Sequence, residues 1–99
     1  MSDQGSEVDL DDAVDDSGET APTAVAVLDY LVRQIVEQPD GVEVKISDDR
    51  GRVQLNVHVA SGDMGRVIGR RGRVANALRT VVRAAAVRDG VEVDVEFVD

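Results

Sequence analysis

Residues 67–72 read Val67-Ile68-Gly69-Arg70-Arg71-Gly72: two guanidinium groups between two glycines, with an apolar pair just ahead of them. Glycine lets a backbone come close to another chain, and arginine attracts phosphate. The segment lies inside a wider basic run. From Met64 to Arg88 there are seven arginines and no acidic residue, in a chain whose net charge is −9. Downstream, Val74, Leu78, Val81, Val82 and Ala85 recur at helical spacing, with Arg73, Asn76, Arg79, Thr80 and Arg83 on the opposite face. Asp89-Gly90 ends that helix. Upstream, Ser61-Gly62-Asp63 breaks a strand, and Asp63 is placed to cap a short helix over 64–68. The glycine–arginine segment is thus predicted to bend the chain between two helices and to open the longer one, where unpaired amides and a positive dipole end favour an anion.

The Gly-x-x-Gly spacing is weak by itself. Nine glycines in 99 residues give about one such pair by chance, and here there are two. Gly62-Asp63-Met64-Gly65 sits at a strand-to-helix junction and holds a carboxylate that would repel phosphate, so context favours the second pair.

Further out, Ala24, Val27, Leu28, Leu31, Val32 and Ile35 predict a helix from Pro22 to Glu37, ended by Pro39 and Gly41. Val42, Val44 and Ile46 alternate with Glu43 and Lys45 as in a half-buried strand. Asp48-Asp49-Arg50-Gly51 is turn chemistry, and Val53, Leu55, Val57 and Val59 form one face of a second strand, so a hairpin is predicted. Val91, Val93, Val95 and Phe97 alternate with Glu92, Asp94 and Glu96 in a last strand. The order α-β-β-α-α-β, with one apolar face per strand, predicts an α+β fold: a three-stranded sheet with three helices packed on one face.

In this order and in residues 67–72, the chain resembles the KH domain family over about residues 22–99, in its type II, prokaryotic arrangement. Asp63-Met64-Gly65-Arg66-Val67-Ile68-Gly69 is similar to small bacterial members with a single KH domain. The resemblance implies that Gly69, Arg70, Arg71 and Gly72 clamp the backbone of about four single-stranded nucleotides, with the bases in an apolar groove beside the loop. The family's loop usually includes a lysine; here both central residues are arginine, which keeps the charge and changes the donor geometry. Arg66, Arg73 and Arg79 would extend the positive field, and Val67, Ile68 and Ala75 would floor the groove. The resemblance also implies an RNA chaperone or post-transcriptional regulator that forms a homodimer and pairs with a second KH-containing RNA-binding protein.

Charge is unevenly spread. Residues 1–20 hold eight acidic and no basic residues. Residues 1–21 are expected to be a disordered acidic tail, with isolated apolar residues, ahead of a domain over 22–99. The tail is either a solubilising arm or an internal competitor that lies on the arginine cluster and mimics nucleic acid. There is no cysteine, no signal-like N-terminus and no apolar run long enough to span a membrane, so a soluble cytoplasmic protein is expected.

Other candidates have plainer explanations. His58, the single histidine, sits on a polar strand face with Gln54 and Asn56. Asp48-Asp49 is ordinary for a turn, and Asp94 and Glu96 face solvent, opposite Arg52 or Lys45. Arg83 and Arg88 are taken as solvated helix surface. Neither a metal site, a cofactor nor a catalytic triad is expected. Tyr30 and Phe97 are the only aromatics and neither belongs to the sheet's polar face, which excludes RRM- and OB-type stacking. The expectation is a non-enzymatic binder of single-stranded RNA; the alternative is a protein-interaction adaptor of the same fold that makes little use of RNA.

Overall fold

A computed structural model describes residues 20–49 and 52–98. Helix α1 (Pro22–Ile35) is followed by a 3-10 turn (Pro39–Gly41), strands β1 (Glu43–Asp49) and β2 (Arg52–His58), and the short helix α2 (Met64–Ile68). A second 3-10 turn (Arg70–Gly72), helix α3 (Arg73–Asp89) and strand β3 (Val93–Val98) complete the expected α-β-β-α-α-β order. The sheet runs β1-β2-β3. β1 and β2 pair antiparallel from Glu43↔His58 to Asp49↔Arg52, so only Arg50 and Gly51 separate them. β3 pairs parallel to β2, Val53↔Val93 through His58↔Val98.

Alternation along the strands sorts the two sheet faces. Val53, Leu55, Val57, Val93 and Val95 are buried in one core with Leu28 and Val32 of α1, Val67 of α2 and Leu78, Val82 and Ala86 of α3. Burying each such valine or leucine is worth about 1.5–3 kcal/mol, against about 0–1 kcal/mol for an exposed ion pair. The helix layer therefore holds the fold, and the ion pairs around Asp94 trim the opposite face and its β3 edge. There Arg52 donates to Asp94 (2.9 Å) and Glu92 (3.0 Å), and Arg83 lies 3.6 Å from Asp94. The Arg52 hydrogen bond, against partial desolvation, holds the Asp94 carboxyl below the ordinary aspartate range. Gln54 donates to Asn56 (2.9 Å) on the same face, and His58 is half-buried there, as a strand-surface residue.

Four expectations need correction. Ala21, assigned to the tail, is fully buried, and its carbonyl accepts the Val25 amide, so the folded part starts before Pro22. Residues 1–19 of the expected tail lie outside the described residues. The first helix stops at Ile35 rather than Glu37, because the Glu37 and Gln38 amides donate instead to the Asp63 carboxylate at 3.0 and 3.1 Å. Asp63 accordingly does not cap α2; it is 1 % exposed and ties the end of α1 to the start of α2. Finally, the buried stripe of α3 is Ala75, Leu78, Val82 and Ala86, rotated from the expected one, and Val81 is 47 % exposed.

The helix ends show why α1 and α3 stay together. Ala21 at the N-cap has no side chain that can cap. The orphan amides of Thr23 and Ala24 donate to Asp89 at 3.1 and 2.9 Å, from the last residue of α3. Burial raises the Asp89 pKa, but the Ala24 and Thr23 hydrogen bonds outweigh it and hold the group below its ordinary value. Gly90, at φ 71°, ends α3 in the left-handed conformation. At the other end of α1, Arg33 donates to the Pro39 and Val42 carbonyls (2.8 and 3.3 Å) and is oriented by Asp29 (2.9 Å).

Candidate nucleic-acid interface

The bend between α2 and α3 follows from its glycines. Gly69 ends α2 at φ 75°, ψ 175°, and its amide donates to the Gly65 carbonyl at 2.9 Å. A Cβ at Gly69 would collide with the Val74 side chain, so this position excludes side chains both by backbone conformation and by packing. Arg71 (φ 59°, ψ 24°) and Gly72 (φ 72°, ψ 15°) are left-handed, turning the chain before α3 starts at Arg73. A left-handed arginine costs about 1–2 kcal/mol. The Gly72 amide donates to Gly69 and the Arg73 amide to Arg70. The Arg70 and Arg71 amides have no backbone acceptor among the described residues.

The cationic side chains divide into two groups. Arg70, Arg71 and Arg73 are exposed, and the ion pairs among the described residues involve Arg33, Arg52, Arg66 and Arg83 instead. Arg66 donates to Glu37 at 2.8 Å and lies 3.6 Å from Asp63, so its charge is largely spent within the fold. Arg79 donates to the Val95 carbonyl and to Asn76, both at 3.1 Å, and lies 5.5 Å from the centre of the Phe97 ring. It braces α3 against β3. The bend thus carries three arginines at the start of a 17-residue helix, whose dipole adds to their field.

The apolar candidates divide too. Ile68 is half-buried and borders the bend. Val67 is fully buried and Ala75 is 2 % exposed, so neither offers a surface to a base. This corrects their expected place in the groove floor: both side chains face inward, where Val67 belongs to the common core. Strand alternation places Phe97 off the polar face. It shares the helix-facing side with Val93 and Val95, but at the strand's end, where the core thins and the ring is left half-buried. β3 runs back along α3 toward the bend, carrying Phe97 about 7 Å further in that direction than Val95. The strand alternation gave the face; only the packing gives the exposure.

Comparison with known proteins covers the same part of the chain. A model described as "KhpA/KhpB, KH domain" matches residues 25–97. A protein of Streptomyces coelicolor named RNA-binding protein KhpA is 53 % identical over 73 residues, 73 % of this chain and 90 % of the relative. The protein of that name from Mycobacterium tuberculosis is 45 % identical over 75 residues, 76 % of this chain and 92 % of the relative. The one from Clostridium acetobutylicum is 40 % identical over 72 residues, 73 % and 96 % of the two chains.

Proposed function

The chain belongs to the KhpA/KhpB family of KH domains, and we propose that it binds single-stranded RNA by gripping the sugar-phosphate backbone at Gly69-Arg70-Arg71-Gly72. The observation that carries this reading is the bend itself. It interrupts two helices, exposes Arg70 and Arg71 and leaves their amides without backbone partners among the described residues. An arginine in a left-handed turn is a local cost that packing does not explain, and such costs gather at functional sites. Arg73 continues the cationic surface along α3, and Ile68, with the half-buried Phe97 on the neighbouring strand, supplies apolar surface for bases. The proteins it resembles are named for RNA binding, and no catalytic role is proposed.

A site spanning about four nucleotides binds weakly, and joining two such sites multiplies affinity through effective concentration. The proposed working form is therefore a cytoplasmic homodimer, or a pair with a KhpB-like RNA-binding protein, acting as an RNA chaperone or post-transcriptional regulator. Among the described residues no helix is long and apolar enough to cross a membrane.

Fluorescence anisotropy with a mixed-sequence single-stranded RNA tests the reading. About three neutralised phosphates predict affinity about an order of magnitude weaker at 200 mM than at 50 mM salt, and weaker binding to a duplex of the same sequence. Salt-independent binding, or none at 50 mM salt, would favour the adaptor alternative.

A further inference from the structure

Beside the bend, α1 and α3 leave an apolar cleft of about 340 Å³ that the fold does not fill. Leu31 and Ile35 form one wall, Val74, Ala77 and Val81 the other, and Arg73 stands at its edge. The cleft and the bend are physically continuous, because Gly69 packs on Val74. We propose that the acidic N-terminal arm of this chain occupies the cleft, with Val8 and Leu10 against its apolar walls and Glu7, Asp9 and Asp11 toward Arg73, Arg70 and Arg71, so that the arm and RNA phosphate compete. The competition rests on the RNA reading of the bend; the docking does not.

Three observations select this occupant. The first is charge: eight acidic residues and no basic ones in residues 1–20 stand against the exposed Arg70, Arg71 and Arg73 at the cleft edge and the bend. The second is pattern. Glu7-Val8-Asp9-Leu10-Asp11 alternates strictly, so once extended it presents two apolar groups to one side and three carboxylates to the other. That is too short to form a strand alone, but it matches a cleft that is apolar within and cationic at its edge. The third is reach. The arm joins the fold at Thr20, beside the α1 terminus that Asp89 holds to the end of α3. Leu31 lies about 16 Å along α1 from there, and the ten residues from Leu10 to Thr20 span up to about 33 Å.

The arm also stands outside what the relatives share. The family match begins at residue 25. The Streptomyces relative is matched over 90 % of its length and is too short to carry a comparable arm. The competition would belong to this chain, acting within the part of it that the family match covers.

The experiment uses the full chain in three variants: Val8→Ser with Leu10→Ser; Glu7→Gln with Asp9→Asn and Asp11→Asn; and Val81→Ser on the cleft side. Methyl NMR without RNA reads docking directly. The arm variants are expected to shift the Leu31, Ala77 and Val81 methyl signals, and all three variants to raise single-stranded RNA affinity about fivefold at 50 mM salt. The gain from the acidic set shrinks at 300 mM salt, where charge is screened. Combining Val81→Ser with the apolar arm pair gives less than the sum, because both remove one contact. Cleft signals indifferent to the arm variants overturn the proposal, whatever RNA does. So do signals that follow only protein concentration, which would seat a second copy there. Methyl shifts in variants that bind no RNA would uphold the docking and refute the RNA reading.

Discussion

The double variant Arg70→Asp, Arg71→Asp is expected to bind single-stranded RNA at least a hundredfold more weakly than the parent at low salt, with an unchanged melting temperature. Each substitution removes a charge-assisted phosphate contact and adds a repulsion, about 1.5 kcal/mol or more apiece, and the two act on adjacent phosphates. The fold is spared because both side chains are exposed and neither belongs to the core. Aspartate is also among the residues that tolerate the left-handed backbone of position 71. A control separates local contact from net charge. Lys45→Glu makes the same charge change as Arg70→Asp alone, but on the exposed face of β1. It should weaken binding by no more than about threefold, against about tenfold for Arg70→Asp. Equal losses from the two would mean that RNA responds to net charge only.

The second large effect is on stability and falls on Asp63. Its carboxylate is nearly inaccessible and accepts two backbone amides from the residues after α1. Asp63→Ala leaves both donors without a partner in a part-buried position and removes one of the two carboxylates beside Arg66. The expected cost is about 3 kcal/mol. In a domain this small that lowers the melting temperature by about 15 °C, read by circular dichroism. Asp63→Asn keeps the shape and one acceptor oxygen but turns an N–H group toward a second donor, so it should recover only part of the loss. An Asp63→Ala protein within 1 kcal/mol of the parent in urea would show that the α1–α2 junction is held by apolar packing alone.

Asp63 also marks the limit of what the chain declares in advance. Strands and helices were legible because their apolar residues repeat at periods of two and of three to four, and a period needs no knowledge of partners. The bend was legible because glycines and arginines are interpretable within six residues. Asp63 sits where a helix cap belongs, and local chemistry alone reads it as one. Its partners lie 26 and 25 residues away. Asp89 likewise looks like a helix end and serves the start of another helix, 66 and 65 residues distant. Val67 and Ala75 flank the bend in sequence, which by itself points to the groove. Which way they face depends on how α2 and α3 roll onto the sheet, and a rotation of one position also exposed Val81. Arg66 and Arg79 are legible as charge but not as charge already engaged.

The most direct test of the central claim is an amide NMR titration of the full chain with a short single-stranded RNA. The account predicts that the largest shifts fall on residues 69–73, with smaller ones at Ile68 and Phe97, and that the open sheet face around Gln54 and Asn56 stays still. Saturating binding that leaves residues 69–73 unmoved and shifts the sheet face instead would contradict it.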